Sequence, residues 1–279
     1  MTVINTNTGS LYAQQAMTTN ARGLSTVMQQ LSTGKRINNA VDDVAGLAIS
    51  TRLTSQIRGL NQAVRNTNDG ISLIQTAEGA TEQVTNMLQR MRELAVQASN
   101  DTNNASDRTY LNLEFQALTS QIDNIANYTQ WNGADILNQK GGASGTFTFQ
   151  VGANSGQSIA ITFSNMTTTA NAGAMSDVGT QNITSSSTSS AALGIIVSAL
   201  DTVSLERSNM GAIISRLQFT GDNLANVAAK AQESRSRIED TDYSQATTEL
   251  ARRNIIQQAA QAMLAQANQA PQLVLQLLK

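Results

Sequence analysis

Apolar residues recur at alternating steps of three and four along most of this chain. Met17, Ala21, Leu24, Met28 and Leu31 form one run. A second holds Ile57, Leu60, Val64, Thr67, Ile71, Ile74, Thr81, Leu88, Met91, Ala95 and Ala98. Leu111, Phe115, Leu118, Ile122 and Ile125 form a third. The fourth runs Leu193, Ile196, Leu200, Val203, Met210, Ile214, Leu217, Leu224, Ala228 and Ala231. Tyr243, Ala246, Leu250, Ile256, Ala260, Met263 and Ala267 make a fifth, with one slip of register. Such steps place side chains on one narrow stripe of an α-helix, the seam of a coiled coil. The second and fourth runs cover about 40 residues each, so each helix is about 60 Å long at about 1.5 Å per residue. Helices of that length need partners of similar length, which predicts a rod rather than a ball.

The middle of the chain switches period. Phe147, Phe149 and Val151 alternate with polar residues, as do Ile159, Ile161 and Phe163, with a Gly-, Asn- and Ser-rich stretch from Gly152 to Gln157 between them. Period two on both sides of a turn cluster predicts a β-hairpin near residues 146–163. Its apolar face carries three of the five Phe residues and must pack on helices. Thr184 to Ser190 is all Ser and Thr. It reads as a flexible surface linker, with O-linked glycosylation as the alternative reading. Ser106, followed by Asp107, reads as the N-cap of the third helix. Asn100 to Asn104 reads as a polar break, and Trp131-Asn132-Gly133 as the turn that ends the third helix. The predicted fold is mainly α: a long antiparallel coiled-coil helix bundle with one small β-hairpin, rod-shaped.

The two terminal stripes are thin, diluted with Ala, Met, Thr and Gln. Alone they bury too little to offset chain entropy. Both termini are therefore expected to be disordered in the monomer and to fold against each other and against neighbours in an assembly.

Composition narrows the chemistry. The 279 residues contain no His and no Cys, which excludes Ser–His and Cys–His catalysis, imidazole or thiolate metal sites, and disulfides. Ser, Thr, Asn and Gln make up 110 of the 279 residues while charged residues are only 14%, a surface poorly protected against self-association. A net charge of −2 gives no nucleic-acid footprint. No run reaches 18 consecutive apolar residues, so no membrane span is expected. Met1 to Ser10 is polar, so no secretory signal peptide is expected. Gly34-Lys35 lacks the upstream Gly of a phosphate loop, that position being Gln29. Asp42-Asp43 and the group Glu239, Asp240 and Asp242 read as helix caps and solvated charge rather than a cation site. The nine Met residues read as core filler. No enzyme activity, metal or cofactor is expected.

Long motifs at both ends carry a resemblance. Residues 31–40 read Leu-Ser-Thr-Gly-Lys-Arg-Ile-Asn-Asn-Ala and residues 41–49 read Val-Asp-Asp-Val-Ala-Gly-Leu-Ala-Ile. With residues 89–97, Gln-Arg-Met-Arg-Glu-Leu-Ala-Val-Gln, they strongly resemble the N-terminal region of bacterial flagellins. Residues 267–279, Ala-Asn-Gln-Ala-Pro-Gln-Leu-Val-Leu-Gln-Leu-Leu-Lys, look like the flagellin C-terminus. The chain departs from the family in having Val41 and Val44 where Lys and Ala are more frequent. The resemblance implies a subunit that self-assembles into the extracellular flagellar filament for swimming motility. It implies an inner coiled-coil domain (1–44 and 239–279) lining the filament channel, and an outer α-rich rod domain (45–238) with the hairpin and the Ser/Thr-rich linker 184–190. Self-assembly would rest on Met17, Leu24, Met28, Leu31, Leu250, Ile256, Met263 and Leu264. The short interval from Asn165 to Ser190 implies a minimal flagellin without outer domains.

The resemblance also implies export by the flagellar type III route, with a flagellin export chaperone, a filament cap and hook-junction proteins as partners. Toll-like receptor 5 is a further implied partner, recognising the monomer through Gln89, Arg90, Glu93, Leu94, Gln97 and Glu114. Arg90 and Leu94, one helical turn apart, are expected to share a face. The rival readings are a hook–filament junction protein, which shares the terminal pattern, and a free-standing coiled-coil adhesin.

Overall fold

The computed structural model describes residues 6–168 and 175–277, the side chains of 270–277 excepted. Met1 to Asn5, residues 169–174 of the low-complexity interval, and the last two residues of the C-terminal motif lie outside the described residues. Most of the described residues are helical. Its elements are α1 (Thr8–Thr33), α2 (Val44–Ser99), α3 (Ala105–Tyr128), β1 (Gln130–Trp131), β2 (Ala134–Asp135), β3 (Thr146–Gln150), β4 (Ser158–Thr162), α4 (Ser176–Gly179), α5 (Ser186–Glu239) and α6 (Tyr243–Leu277). The chain divides into two compact units, one of Met1–Ile57 with Ala229–Lys279 and the other Arg58–Ala228. The division falls inside α2 and α5, 13 residues after the expected boundary at 44/45 and 10 residues before the one at 238/239.

The unit Arg58–Ala228 has a core of seam residues from α2, α3 and α5. Leu88, Met91, Ala95 and Ala98 of α2, Phe115 and Ile122 of α3, and Ile196 and Val203 of α5 are all buried in one cluster. The helices pair antiparallel: Arg108 of α3 donates to the Ala98 carbonyl at 2.9 Å, and the Thr67 methyl of α2 faces Gly221 of α5. Thr67 and Thr119 keep their hydroxyls satisfied at buried seam positions by donating to the carbonyls of Ala63 and Phe115, at 2.8 and 3.0 Å. An 18-residue window of α5 reaches a mean hydropathy of 1.4, apolar enough by composition to span a bilayer. Along that helix a stripe of positions from Ser189 to Ala228 is buried, and 28% of the window itself is buried.

The hairpin predicted near 146–163 is β3–β4, antiparallel, with Phe147 opposite Ile161 and Phe149 opposite Ile159. Ile159, Ile161 and Phe163 are buried in the core cluster. Phe147 and Phe163 meet edge to face, centroids 6.0 Å apart, the preferred aromatic geometry.

Three local expectations are corrected. Trp131-Asn132-Gly133 is not simply the end of α3, which stops at Tyr128. It is the tip of a second small hairpin, β1–β2. Asn132 and Gly133 both have positive φ, 50° and 79°, as a tight two-residue hairpin turn demands. The N-cap of α3 is Asn104 rather than Ser106. Asn104 Oδ1 accepts from the Asp107 amide at 2.9 Å and Asp107 Oδ2 accepts from the Asn104 amide at 3.1 Å, a reciprocal capping box. The Ser/Thr tract 184–190 is not a linker: from Ser186 onward it is the first turn of α5. Ser185 Oγ accepts from the Thr188 amide at 3.2 Å, and Thr188 Oγ1 accepts from the Ser185 amide at 3.1 Å. Ser189 Oγ then donates back to the Ser185 carbonyl at 2.7 Å. Hydroxyls that bond their own backbone favour caps, so a hydroxyl-rich run opens a helix once one of them caps it.

In the other unit α1 pairs with α6. α1 ends at Gly34, whose φ of 72° is open to glycine without the Cβ penalty other residues meet there. The two connectors that follow are joined by their backbones. Arg36 N donates to the Glu239 carbonyl at 2.7 Å, and Thr241 N donates to the Gly34 carbonyl at 2.9 Å.

Candidate assembly and recognition surfaces

The seam between α1 and α6 is narrow and partly polar. Along α1 the residues Ser10, Ala13, Met17, Asn20, Leu24, Val27 and Leu31 are half-buried or buried in unbroken steps of three and four, with Gly23 and Gln30 half-buried beside them. On α6 strict heptad spacing runs through Ala246, Leu250, Arg253, Gln257, Ala260, Leu264 and Ala267, with Glu249 half-buried beside them. Of the eight residues expected to drive self-assembly, Met17, Leu24, Leu31, Leu250 and Leu264 therefore lie in this intramolecular seam. Met28, Ile256 and Met263 do not. Met28 is 57% exposed, Met263 is 66% exposed and Ile256 is also exposed, as are Leu11, Tyr12 and Ile255. The apolar stripe read from the sequence is thus split between two faces. The seam includes Asn20, Arg253 and Gln257, which an apolar count passes over; unbroken steps of three and four through polar positions are the signal that locates them.

Soluble proteins seldom leave many large apolar side chains exposed along one pair of helices. Burying one such side chain is worth about 1.5–3 kcal/mol, so the exposed set on α1 and α6 is a strong drive toward association.

The acidic residues of the connectors are occupied locally. Asp42 Oδ2 accepts from the amides of Asn38 and Asn39 at 3.0 and 2.8 Å. Asp43 Oδ1 accepts from Gly46 N at 2.8 Å in the first turn of α2, and Asp242 Oδ1 from Ser244 N at 2.9 Å in that of α6. The Glu239 side chain is 14% exposed; it pairs with Lys35 and accepts from Ser50 Oγ. Those donors hold its carboxyl below the usual glutamate range, Lys35 contributing most.

The second surface is on α2 and α3. Arg90 Nε donates to Glu114 Oε1 at 2.9 Å across the two helices, and Arg90 NH1 donates to Glu93 Oε2 at 3.0 Å. Glu114 first, then Glu93, hold the guanidinium in its charged form and raise its pKa further. Gln89, Arg90, Glu93, Gln97 and Glu114 are all exposed, so the structure gathers five of the six expected recognition residues on the surface. Leu94 is the exception. It is 1% exposed and belongs to the core cluster, so the face it was expected to share with Arg90 is instead the edge between surface and core.

The fold thus defines a mainly helical coiled-coil protein, with large apolar side chains left exposed on its paired terminal helices. Comparison with known proteins places it more closely. Residues 4–141 match the bacterial flagellin N-terminal helical region and residues 193–278 the bacterial flagellin C-terminal helical region. The chain is 46% identical to a flagellin of Halalkalibacterium halodurans over 99% of its own length and 100% of that protein. It is 48% identical to polar flagellin F of Vibrio parahaemolyticus over 59% of this chain, but only 43% of that longer relative. Among solved structures, Bacillus cereus flagellin superposes with a TM-score of 0.50 at 31% identity, covering 60% of this chain and 94% of that one. The chain belongs to the bacterial flagellin family. It is a short member without the variable region of longer relatives, and a structural filament subunit rather than an enzyme.

Proposed function

We propose that this chain polymerises through the open apolar face of α1 and α6, and that the terminal helices complete their folding only there. The observation that carries the reading is the exposed set Met28, Ile255, Ile256 and Met263 beside a seam too thin and polar to hold the helices strongly. Copies related by a helical operator make contacts that never close, which gives an open filament. Each terminal pair would then bury its apolar face only as neighbours arrive, so folding is coupled to assembly. The terminal helices would make the inner layer of the filament, lining its channel, and the α-rich unit with its hairpins the outer layer. Before assembly the chain would travel through the flagellar type III route with an export chaperone. It would then polymerise between hook-junction proteins and a filament cap.

Far-UV circular dichroism of dilute monomer and of sedimented filament tests this reading. The monomer should show less helix than the filament and should lose both ends to protease. A monomer already fully helical and resistant at both ends contradicts it.

The Arg90 surface supports a second role. The exposed group Arg90, Glu93 and Glu114, flanked by Gln89 and Gln97, would be the face that Toll-like receptor 5 recognises on the monomer. Leu94 would support that face from the core.

A further inference from the structure

The pairing of α1 with α6 raises a question of register. Both seams keep strict heptad spacing, so sliding one helix by seven residues sets seam on seam again. The apolar seam discriminates only weakly against such a slip, because α6 presents Leu250 and Leu264 as its large apolar seam residues, with Ala246, Ala260 and Ala267 between and beyond them. Coiled coils with this degeneracy are fixed by polar residues at core positions and by shapes that fit only once.

The shape that fits once is Arg253 against Gly23. Arg253 occupies a seam position, and its guanidinium lies over Gly23 so closely that a Cβ there would push the guanidinium out of its place. Its Nε sits 2.8 Å from Glu249 Oε1 on its own helix, an ion pair without hydrogen-bond geometry. A glycine inside a helix costs about 0.5–1 kcal/mol relative to alanine, and a charged side chain in a seam is costly unless accommodated. Both costs are offset in the observed register. A slip of seven residues would face Arg253 with side chains around Ala16 or Gln30 in place of the glycine.

Polar rungs between the helices agree with that register. Buried Asn20 donates its Nδ2 to the Arg253 carbonyl at 2.9 Å, beside the notch. Toward the N-terminus of α1, Asn7 Nδ2 donates to the Ala267 carbonyl at 2.7 Å. At the other end, the Tyr243 hydroxyl donates to the Leu31 carbonyl at 3.3 Å. The three pairings share one antiparallel register to within one residue.

We propose that Gly23 and Arg253 form the notch and peg that specify the register of the terminal helix pair. Asn20 ties the same point with its amide. The register decides where Met28 of α1 stands relative to Ile255, Ile256 and Met263 of α6. It therefore sets the apolar face that a neighbouring copy meets. The inference concerns pairing within one chain. It rests on the assembly reading only in that the pair is assayed in filaments.

The chain has no cysteine, so introduced pairs report cleanly. Ala13→Cys with Ala260→Cys reports the observed register, and Ala13→Cys with Ala267→Cys reports a slip of seven. Each pair is placed in the otherwise unaltered full chain, in Arg253→Leu and in Gly23→Ala. All are co-assembled with an excess of unmodified chain, so that a variant unable to polymerise alone is still carried into filaments. The filaments are treated with a mild oxidant, and crosslinks within one chain are separated from dimers by mass. The otherwise unaltered chain should crosslink only in the observed register. The slipped crosslink should rise about tenfold in both variants. A slipped crosslink that stays at the unaltered level in either variant overturns the proposal, since the connectors would then fix the register without the notch. Failure to form filaments at all, seen by electron microscopy before oxidation, would instead count against the assembly reading. The register would then be read on monomers by the same crosslinks, with the same deciding outcomes.

Discussion

The Lys35 ammonium lies 2.5 Å from a Glu239 carboxylate oxygen and joins the connector after α1 to the end of α5. The same carboxylate accepts from Ser50 Oγ of α2 at 2.5 Å, across 189 residues of sequence. Arg235 stands 3.9 Å away on α5. One nearly buried side chain thus ties three segments of the unit built on the chain ends. Its carboxyl is held below the ordinary glutamate value of about 4.3, chiefly by Lys35 and then Ser50. A lowered folded pKa means that the stabilisation is present above the unfolded value and is lost as pH falls through the folded value. Glu239→Gln should lower stability at pH 7 by about 1 kcal/mol, the size of a charge-assisted bond whose Lys35 end is half exposed. The gap between the two proteins should close as pH falls below about 4. Hydrogen exchange of the Arg36 and Thr241 amides across that range measures it, and a gap that widens in acid would refute the assignment.

Arg90 and Leu94 separate surface from core on one helix. Leu94→Ala should cost about 2–5 kcal/mol, the range for truncating a buried leucine. Arg90→Ala should leave stability nearly unchanged, since its ion pairs are exposed. Urea unfolding followed by the fluorescence of Trp131, the single tryptophan, reads both. In a Toll-like receptor 5 signalling assay on monomer, Arg90→Ala should reduce the response despite its unchanged stability. Undiminished signalling would remove the receptor from the proposed role.

The start of α3 offers a check on local chemistry. Asn104→Ala removes one half of the capping box and should cost about 1 kcal/mol. Ser106→Ala should fall within about 0.5 kcal/mol of zero, because Ser106 is inside the helix and not its cap. Equal losses from both would show that the capping box contributes nothing special.

What the sequence revealed, and what it hid, follows from how far each side chain's role is set by apolarity. In α2, α3 and α5 the three-and-four stripe found the core directly, including Phe115, Met91 and Val203, because burial there is decided by apolar contact. Even Thr67 and Thr81, which the stripe included, are buried, their hydroxyls turned back onto their own helix. In α1 and α6 the same count chose Met28 and Met263 over Asn20 and Arg253. An amide reaching a carbonyl, and an arginine over a glycine, pair helices without any apolar signal. The family motif implies that Leu94 is recognised together with Arg90, although its spacing from Met91 and Ala98 is that of the buried stripe. The tract 184–190 was read by composition, and composition does not show that Ser185 and Thr188 cap one another. The Arg90–Glu114 pair joins two helices, and its residues were legible only through the family motif.

If copies of the chain join through the exposed apolar side chains of α1 and α6, charges placed there should stop filament growth. Negative-stain electron microscopy of purified chain after addition of ammonium sulfate, which strengthens apolar burial, tests it most directly when Ile256→Lys with Met263→Lys is imaged alongside. The account predicts long filaments of uniform width from the unaltered chain. It predicts dispersed monomers from the double variant, with the Trp131 unfolding transition unchanged. Unaltered chain that stays monomeric or forms small closed oligomers would contradict it, and so would a double variant that polymerises equally well.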